Sequence, residues 1–256
     1  MKTIYAIAIA GTLAITAGFA LDMRAQPQIA SAAPGIDLPP AAQTQMPAVV
    51  ELFTSQSCSS CPPADALAEE LALRDDVVVI SRPVTYWNRI GWIDTLSDER
   101  HTELQRAYAR RGLAGRNGVY TPQIVVDGRD GVVGSRAGDV STLVSQALER
   151  ERPVIDISDD AITITGGAAH RAVLSVVAVD ASETVAIGSG ENRNRTVTYT
   201  NTWLGESELG EWGGGTAVFA VPEELPEADE ADRYALILRE DSNDGAGAIL
   251  AGRWLG

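Results

Sequence analysis

The chain has 256 residues, 45% of them hydrophobic and 21% charged, a composition typical of a globular protein with one or two domains. It carries 20 Lys and Arg residues against 35 Asp and Glu residues, so its formal net charge is −15. This charge excludes nucleic acid as an expected partner, because phosphates bind clustered Lys and Arg side chains. An acidic surface suits a protein dissolved in an aqueous compartment.

The N-terminus has the pattern of a targeting segment. Lys2 precedes an apolar run over residues 4–21, and Ala30-Ser31-Ala32 follows as a small-residue cleavage site. We therefore predict a signal peptide over 1–32, a Pro- and Ala-rich linker over 33–46, and an exported protein, periplasmic or secreted. The apolar run is long for a signal peptide, so an uncleaved anchor is the alternative and the one membrane contact that we expect. Either way the cysteines reach an oxidising compartment.

Residues 49–73 predict an apolar strand, a short polar turn and a helix. The turn holds the chain's two cysteines, Cys58 and Cys61, in C-x-x-C spacing. Pro62 and Pro63 fit the first helical turn because they lack an N–H group. Polar Asp65 falls between the apolar helix positions, which are Ala64, Leu67, Ala68 and Leu71.

A cysteine pair at a strand-to-helix turn indicates a thiol-disulfide site. Helix-start N–H groups stabilise a thiolate and lower the thiol pKa from about 8.5. We predict that Cys58 attacks and that Cys61 resolves, with Asp65 offsetting part of the favourable potential. A structural disulfide is the alternative, although so short a loop contributes only ~2 kcal/mol. Metal binding by two thiolates without a third soft ligand nearby in sequence is the weakest interpretation.

The pattern up to residue 152 predicts three more strands and two more helices. A β-branched strand follows Asp76, and an aromatic loop with Trp92 leads to a helix over 98–111, capped by Ser97 and ended by Gly112. The remaining elements are a strand over 121–126, a turn at Asp127-Gly128, a short strand at 132–133 and a helix over 140–148. The order β-α-β-α-β-β-α predicts an α/β domain over 47–152.

From Pro153 onward the chain reads as short strands separated by turn residues, without a long helix. This pattern predicts a second, β-sandwich-like domain over 153–256. The predicted strands cover 154–157, 162–165, 173–180, 196–203, 216–221, 234–238 and 249–255.

Several motifs carry a family resemblance, namely VELFTSQSCSSCPPADAL (50–67), YW and GW (86–87 and 91–92), QRAYARR (105–111), VYTPQIVVDG (119–128) and GENRNRTVTYTN (190–201). From about Pro47 the chain resembles the DUF1223 family of exported bacterial proteins, and its first half resembles the thioredoxin-like fold. The resemblance implies a redox function. Together with the cysteine pair it makes a thiol-disulfide oxidoreductase our leading hypothesis, and we predict no cofactor and no metal. Its expected partner is a protein or small molecule containing a thiol or disulfide.

The resemblance also implies site residues. Pro122 matches the proline that is cis beside the cysteines in thioredoxin-like proteins, and Thr121 before it would pair with an extended substrate. Glu51 would accept the resolving thiol's proton, as a buried acid does in thioredoxin-like enzymes. From the residues themselves, Tyr86, Trp87 and Trp92 of the aromatic loop are candidates for the walls of a peptide groove. The alternatives are a trans proline that starts a strand, core aromatics, and an ion pair between Glu51 and an Arg. The redox interpretation requires Pro122 beside the cysteines and at least one accessible sulfur.

The chain departs from the family pattern at PVTYWN (83–88), where His and Asp stand in other members. His101 and His170 lack ligand spacing to the cysteines, and Arg193, Arg195 and Tyr199 are expected to support domain packing. Two further hypotheses follow: a non-enzymatic cell-envelope binding module with structural cysteines, and copper or zinc handling by the thiol pair.

Overall fold

The computed structural model describes residues 45–115, 118–158, 161–167, 171–222 and 231–255. The described residues all belong to one compact unit that spans Gln43–Gly256. The predicted signal peptide, nearly all of the predicted linker, and His170 lie outside the described residues. Within the described ranges, none of the helices has the length and apolarity needed to cross a bilayer.

The first half of the chain follows the predicted order of elements. It consists of β1 (Ala48–Thr54), α1 (Pro62–Ala72), β2 (Val77–Pro83), α2 (Glu99–Arg110), β3 (Gln123–Val126), β4 (Asp130–Val133) and α3 (Ala137–Leu148), with a 3-10 turn at Asn88–Ile90. One prediction is corrected: Asp98, not Ser97, caps α2, because its carboxylate accepts a hydrogen bond from the Arg100 N–H.

The described residues of the second half form seven strands at the predicted positions. They are β5 (Val154–Ile157), β6 (Ala161–Gly166), β7 (Ala172–Ala186), β8 (Thr196–Trp212), β9 (Gly215–Ala220), β10 (Arg233–Glu240) and β11 (Ile249–Trp254). Strands β7 and β8 are longer than predicted and pair as an antiparallel hairpin. The segment 187–195 joins them and is called the hairpin loop below.

The architecture is mixed α/β and dominated by one large mixed sheet. Eight strands form it in the order β11-β10-β7-β8-β2-β1-β3-β4, and β5, β6 and β9 form a separate antiparallel sheet. Strand β2 pairs in parallel with β8, with Ser81 opposite Thr202, so the large sheet runs across the predicted boundary at residue 153. The division into two domains stays a prediction.

Strand β1 is fully buried because it lies between β2 and β3 with both faces covered. Side chains alternate along it: Leu52 packs against α1 and α3, whereas Phe53 packs against α2. The turn between β1 and α1 follows the end of β1 and leads onto the face of the sheet that α1 and α3 cover. The smaller sheet packs on β7 and β10 through Ile155, Ile162 and Ile164.

Candidate functional site

The cysteine turn lies between β1 and α1. Cys61 is the N-cap residue of α1, and Pro62 and Pro63 occupy the first helical positions, as predicted. The Cys58 N–H donates to the Ser55 carbonyl, and the Cys61 N–H donates to the Cys58 carbonyl, both at 3.1 Å. Both cysteines are free thiols in the structure. The tight turn therefore fixes the two sulfurs at the start of the helix.

Pro122 lies beside this turn, 61 to 64 residues farther along the chain than the two cysteines. The Thr121–Pro122 peptide bond is cis, as the resemblance implied. The Cys58 sulfur lies 3.8 Å from the Thr121 carbonyl oxygen, and the Ser60 hydroxyl lies 3.2 Å from the same sulfur. The residues from these two distant parts of the sequence thus meet at one sulfur atom.

Both cysteines are more buried than the redox interpretation expected. Cys58 is 1% exposed and Cys61 is fully buried. Ser60, by contrast, is exposed, and its hydroxyl contacts both the Cys58 sulfur and the Thr121 carbonyl oxygen. The side chain of Ser60, which is small and exposed, is therefore part of what covers the Cys58 sulfur.

The two thiols differ in acidity. A hydrogen bond donated by the Cys61 thiol lowers the pKa of Cys58 to about 6; burial opposes this effect, and Ser60 adds to it. The pKa of Cys61 is raised, first by burial and then by its interaction with Cys58. Near neutral pH, Cys58 is thus the thiolate of the pair and Cys61 holds the proton.

Asp65 is a carboxyl group near the cysteines whose burial and role sequence reasoning missed. It is 3% exposed although its helix position was interpreted as polar. The Thr54 hydroxyl donates to its Oδ1 at 2.6 Å, whereas its Oδ2 has no hydrogen-bond partner in the described structure. Burial raises the pKa of Asp65 to about 8. Its position four residues after Cys61, one helical turn along α1, was the available signal.

Glu51 lies in a buried ionic cluster rather than beside a thiol. Its carboxylate accepts hydrogen bonds from Arg82 at 2.8 Å, from Arg239 at 3.0 Å and from the Tyr108 hydroxyl. Burial alone would raise the pKa of Glu51, but Arg239 and then Arg82 outweigh it and lower the pKa to about 2. Of the two interpretations of Glu51, the structure therefore contains the ion pair.

The predicted groove aromatics are placed by hydrogen bonds. The Trp87 indole N–H donates to the Thr121 hydroxyl at 2.8 Å, and the Tyr86 hydroxyl donates to the Gln105 side chain at 3.1 Å. Both rings are partly buried, and both line an open hollow that includes Thr121. They therefore combine core packing with a place beside the site.

The aromatic loop also holds the start of the cysteine turn. The Trp92 indole N–H donates to the Gln56 side-chain oxygen at 2.7 Å, and the Gln56 backbone N–H donates to the Asp94 carboxylate at 2.8 Å. Burial raises the pKa of Asp94 to about 6. These contacts fix the backbone that leads into Cys58.

The hairpin loop supplies residues that sequence reasoning did not assign to the site. The buried Asn192 amide donates to the Gln56 carbonyl at 3.0 Å and to the Cys58 carbonyl at 2.8 Å. The Glu191 carboxylate accepts a hydrogen bond from the Ser59 N–H at 3.0 Å. Both residues belong to the GENRNR motif, which carried part of the family resemblance but had no assigned chemical role.

The remaining singled-out residues differ in environment. His101 is a core residue: its Nδ1 lies 2.8 Å from the Pro83 carbonyl oxygen, and its ring packs edge-on against Trp203. Burial lowers the pKa of His101 to about 3. Arg193 and Arg195 are exposed, whereas Tyr199 is buried. Burial, and then the nearby Asp65 and Asp94, raise the pKa of the Tyr199 phenol.

In the described part of the chain, no group of three or more His, Cys, Asp or Glu side chains is arranged to hold a metal ion. The two thiols thus have no third ligand of these types among the described residues. The chemistry that the arrangement offers is proton and electron exchange at the sulfur pair.

Comparison with known proteins gives a family but no activity. The chain is similar to an Agrobacterium tumefaciens protein whose X-ray structure was determined in a structural genomics programme, with 31% identity over 84% of this chain and 96% of that one, and a TM-score of 0.69. It is also similar to HBP35 of Porphyromonas gingivalis, with 15% identity over 82% of this chain and 75% of that one, and a TM-score of 0.48. No curated protein matches the sequence.

A family model matches residues 49–239, which include the cysteine turn, Pro122 and the hairpin loop. This model is described as a protein of unknown function, DUF1223. The match covers most of the chain, and the chain therefore belongs to the DUF1223 family.

Proposed function

We propose that this protein is an exported thiol-disulfide oxidoreductase whose first half has a thioredoxin-like fold and whose second half is β-sandwich-like. The observation that carries the proposal is the position of the Cys58 sulfur, 3.8 Å from the carbonyl oxygen of the residue before Pro122. The lowered pKa of Cys58 supports it, because the thiolate is the form that attacks a disulfide. Export rests on the N-terminal pattern.

In the reducing direction, the Cys58 thiolate attacks one sulfur of a substrate disulfide. A mixed disulfide forms between Cys58 and that sulfur, and the other substrate sulfur leaves as a thiolate that takes up a proton. Cys61 then loses its proton and attacks the Cys58 sulfur, which releases the second substrate thiol. Two electrons pass from the protein to the substrate, and a Cys58–Cys61 disulfide remains. The reverse sequence oxidises a substrate dithiol.

Asp65 supplies a proton acceptor for the second step in its ionised form. The charge on Cys58 contributes to the raised pKa of Asp65, so a larger fraction of Asp65 ionises once Cys58 enters a mixed disulfide. Interaction with the ionised Cys58 contributes to the raised pKa of Cys61, and that contribution ends when Cys58 enters a mixed disulfide. Cys61 then becomes more acidic, next to a carboxyl group whose pKa is about 8. We assign to Asp65 the role that the resemblance had suggested for Glu51, which is ionised and occupied by two arginines.

Access to Cys58 is the condition on this mechanism. At 1% exposure, the sulfur reacts only when part of its covering moves. Ser60 is the exposed part of that covering, and a change of its side-chain rotamer is a fast motion. The second candidate function, a cell-envelope binding module with inert cysteines, is favoured by the same burial.

Trapping the intermediate tests the proposal. A Cys61→Ser variant, incubated with an aromatic disulfide such as 5,5′-dithiobis(2-nitrobenzoate), is expected to hold one mixed disulfide on Cys58 and to release one chromophore per chain. The Cys58→Ser variant is the matched control and is expected to react much more slowly. Equilibration of the wild type with glutathione gives the reduction potential. Exchange at Cys58 no faster than with an unfolded cysteine peptide would support the binding module instead.

A further inference from the structure

Two open hollows meet at the residue that contacts the Cys58 sulfur. One, called the arginine hollow, has a volume of about 470 Å³ and is lined by Tyr86, Trp87, Arg89, Arg106, Tyr120 and Thr121, with Val119. The other, called the neutral hollow, has the same volume and shares Tyr120 and Thr121 with the first. Its remaining lining, among the described residues, contains no charged side chain and includes Ser60, Ala114, Pro122 and Val133.

The shared wall sets the path of a substrate. Thr121 lies between the hollows, and its carbonyl oxygen is 3.8 Å from the Cys58 sulfur. Ser60, whose hydroxyl contacts that sulfur at 3.2 Å, faces the neutral hollow. A compound whose sulfur reaches Cys58 past Ser60 therefore lies over the neutral hollow and extends across Thr121 toward the arginine hollow.

The arginine hollow differs from the chain as a whole in its charge. The chain carries a net charge of −15, yet the described lining of this hollow contains two guanidinium groups and no carboxylate. Arg106 is paired with Glu99 at 2.9 Å and is half exposed. Arg89 has no carboxylate within 4 Å among the described residues. Its positive charge is thus available to a ligand.

The walls around these arginines are fixed before any ligand binds. Trp87 is held by its hydrogen bond to the Thr121 hydroxyl, and Tyr86 by its hydrogen bond to Gln105. A planar guanidinium group binds a carboxylate through two parallel hydrogen bonds, and aromatic neighbours reduce the competing water. Fixed walls also lower the entropy cost of binding.

We propose that the arginine hollow selects substrates that carry a carboxylate close to the reacting sulfur, either within the same small molecule or a few residues away along a polypeptide. The proposal rests on the oxidoreductase function proposed above and adds the substrate class. The carboxylate is supplied either by an acidic residue near a cysteine in an extended polypeptide or by a small thiol such as glutathione. Arg89 is the specificity-determining residue, and Arg106 assists it.

The test compares matched disulfide substrates. Each peptide has blocked termini and one cysteine, which forms a mixed disulfide with an aromatic thiol. A Glu, Gln or Lys residue stands two positions before the cysteine in one series and two positions after it in the other. Oxidised glutathione and its ethyl ester form the small-molecule arm. The initial rate of exchange with the reduced protein is measured for the wild type, for Arg89→Glu, and for Arg74→Glu as control. Arg74 is exposed and follows the far end of α1.

In the peptide arm, the wild type is expected to react about fivefold faster with a Glu peptide than with the matching Lys peptide, for one of the two positions relative to the cysteine. In the small-molecule arm, it is expected to react about fivefold faster with oxidised glutathione than with the ethyl ester. Arg89→Glu should abolish or invert this preference, whereas Arg74→Glu should preserve it. A preference in the peptide arm identifies a polypeptide substrate, and one confined to the glutathione arm identifies a small thiol.

Equal rates for acidic and basic substrates, or a preference that survives Arg89→Glu, would overturn the proposal and leave the oxidoreductase function intact. Binding of fluorescent peptides with Ser in place of Cys provides a second readout that needs no chemistry. If no substrate exchanges but the Glu peptide still binds more tightly through Arg89, the oxidoreductase function fails and the carboxylate site stands. Circular dichroism confirms that each variant is folded.

Discussion

The side-chain amide of Asn192 donates a hydrogen bond of 2.8 Å to the backbone carbonyl of Cys58, which lies 134 residues earlier in the chain. The same amide also reaches the Gln56 carbonyl. The loop between the two longest strands of the sheet therefore holds the cysteine turn in position. This contact joins the two halves of the chain at the sulfur site.

Replacing Asn192 tests this contact. Asn192→Ala removes two buried hydrogen bonds. The Cys58 carbonyl keeps the Cys61 N–H as a donor, whereas the Gln56 carbonyl loses the Asn192 amide, so we expect the free energy of unfolding to fall by about 2 kcal/mol. Urea denaturation followed by tryptophan fluorescence gives the value. Arg193→Ala, an exposed neighbour in the same loop, is the control and should change stability little. Equal effects of the two substitutions would mean that the hydrogen bonds contribute nothing measurable.

The acidity of Cys58 predicts a pH profile. Because the pKa of Cys58 is lowered to about 6, its alkylation by iodoacetamide should rise as pH passes through 6 and level off above pH 7. Ser60→Ala removes one hydrogen bond to the thiolate, so the midpoint should move upward. The plateau rate should increase, because the sulfur loses part of its covering.

Ser59→Ala is the control for this experiment, since Ser59 contacts the Glu191 carboxylate and is not among the residues that hydrogen-bond the Cys58 sulfur. It should leave both the midpoint and the plateau close to those of the wild type. A wild-type midpoint near 8.5, the ordinary value for a cysteine, would contradict the lowered pKa of Cys58.

Asp65 predicts a second pH effect, on stability. Its pKa is about 8 in the folded protein and about 3.9 in the unfolded chain, so between these values the folded state binds more protons. The free energy of unfolding should therefore fall as pH rises from about 4 to about 8. Asp65→Asn keeps the acceptor for Thr54 and removes the charge. It should stabilise the protein at pH 8 by roughly 2–4 kcal/mol and flatten the pH dependence.

The same Asp65→Asn variant should resolve the mixed disulfide more slowly, because Cys61 loses its proton acceptor. Stopped-flow measurement of the second chromophore-releasing step separates this effect from the first attack by Cys58. Asp75→Asn, an exposed acid beyond the end of α1, should alter neither stability nor resolution. Unchanged resolution in Asp65→Asn would exclude Asp65 as the acceptor.

Replacing Glu51 should lower stability and leave disulfide exchange unchanged, whereas replacing Asp65 should raise stability and slow the exchange. Glu51→Gln leaves Arg82 and Arg239 buried without their counter-charge, so we expect a loss of about 3–5 kcal/mol in unfolding free energy. In the wild type, the stability contributed by this carboxylate should be lost as pH falls from about 4 toward 2. The folded fraction should still exchange disulfides at the normal rate. Glu70→Gln, on the exposed side of α1, is the control.

The order of elements could be predicted from the sequence because each element has its own local pattern. The β-branched run at Val77–Pro83 and the proline pair at the start of α1 are examples. Pairing between distant strands has no such local signal, so the parallel contact of β2 with β8 was not predicted. Strand alternation indicates which residues share a face, not which strand lies alongside.

The candidate site divides in the same way. The cysteine pair and Pro122 carry recognisable spacing or family motifs, and they were predicted. The burial of Asp65 was not, because a polar residue between apolar helix positions indicates an exposed face unless a neighbouring element covers it. That neighbouring strand is β8, which packs on α1. Asn192 was missed because its role depends on the path of the hairpin loop.

The pairing of β2 with β8 has a consequence for any shortened form of this protein. A fragment ending at residue 152 would present the outer edge of β2, with its unpaired backbone groups, to other molecules. It would also lack the amide that anchors the Cys58 carbonyl. Such a fragment should aggregate rather than act as a minimal redox module, so a frameshift or nonsense change anywhere before β8 is equivalent to deleting the thiol centre.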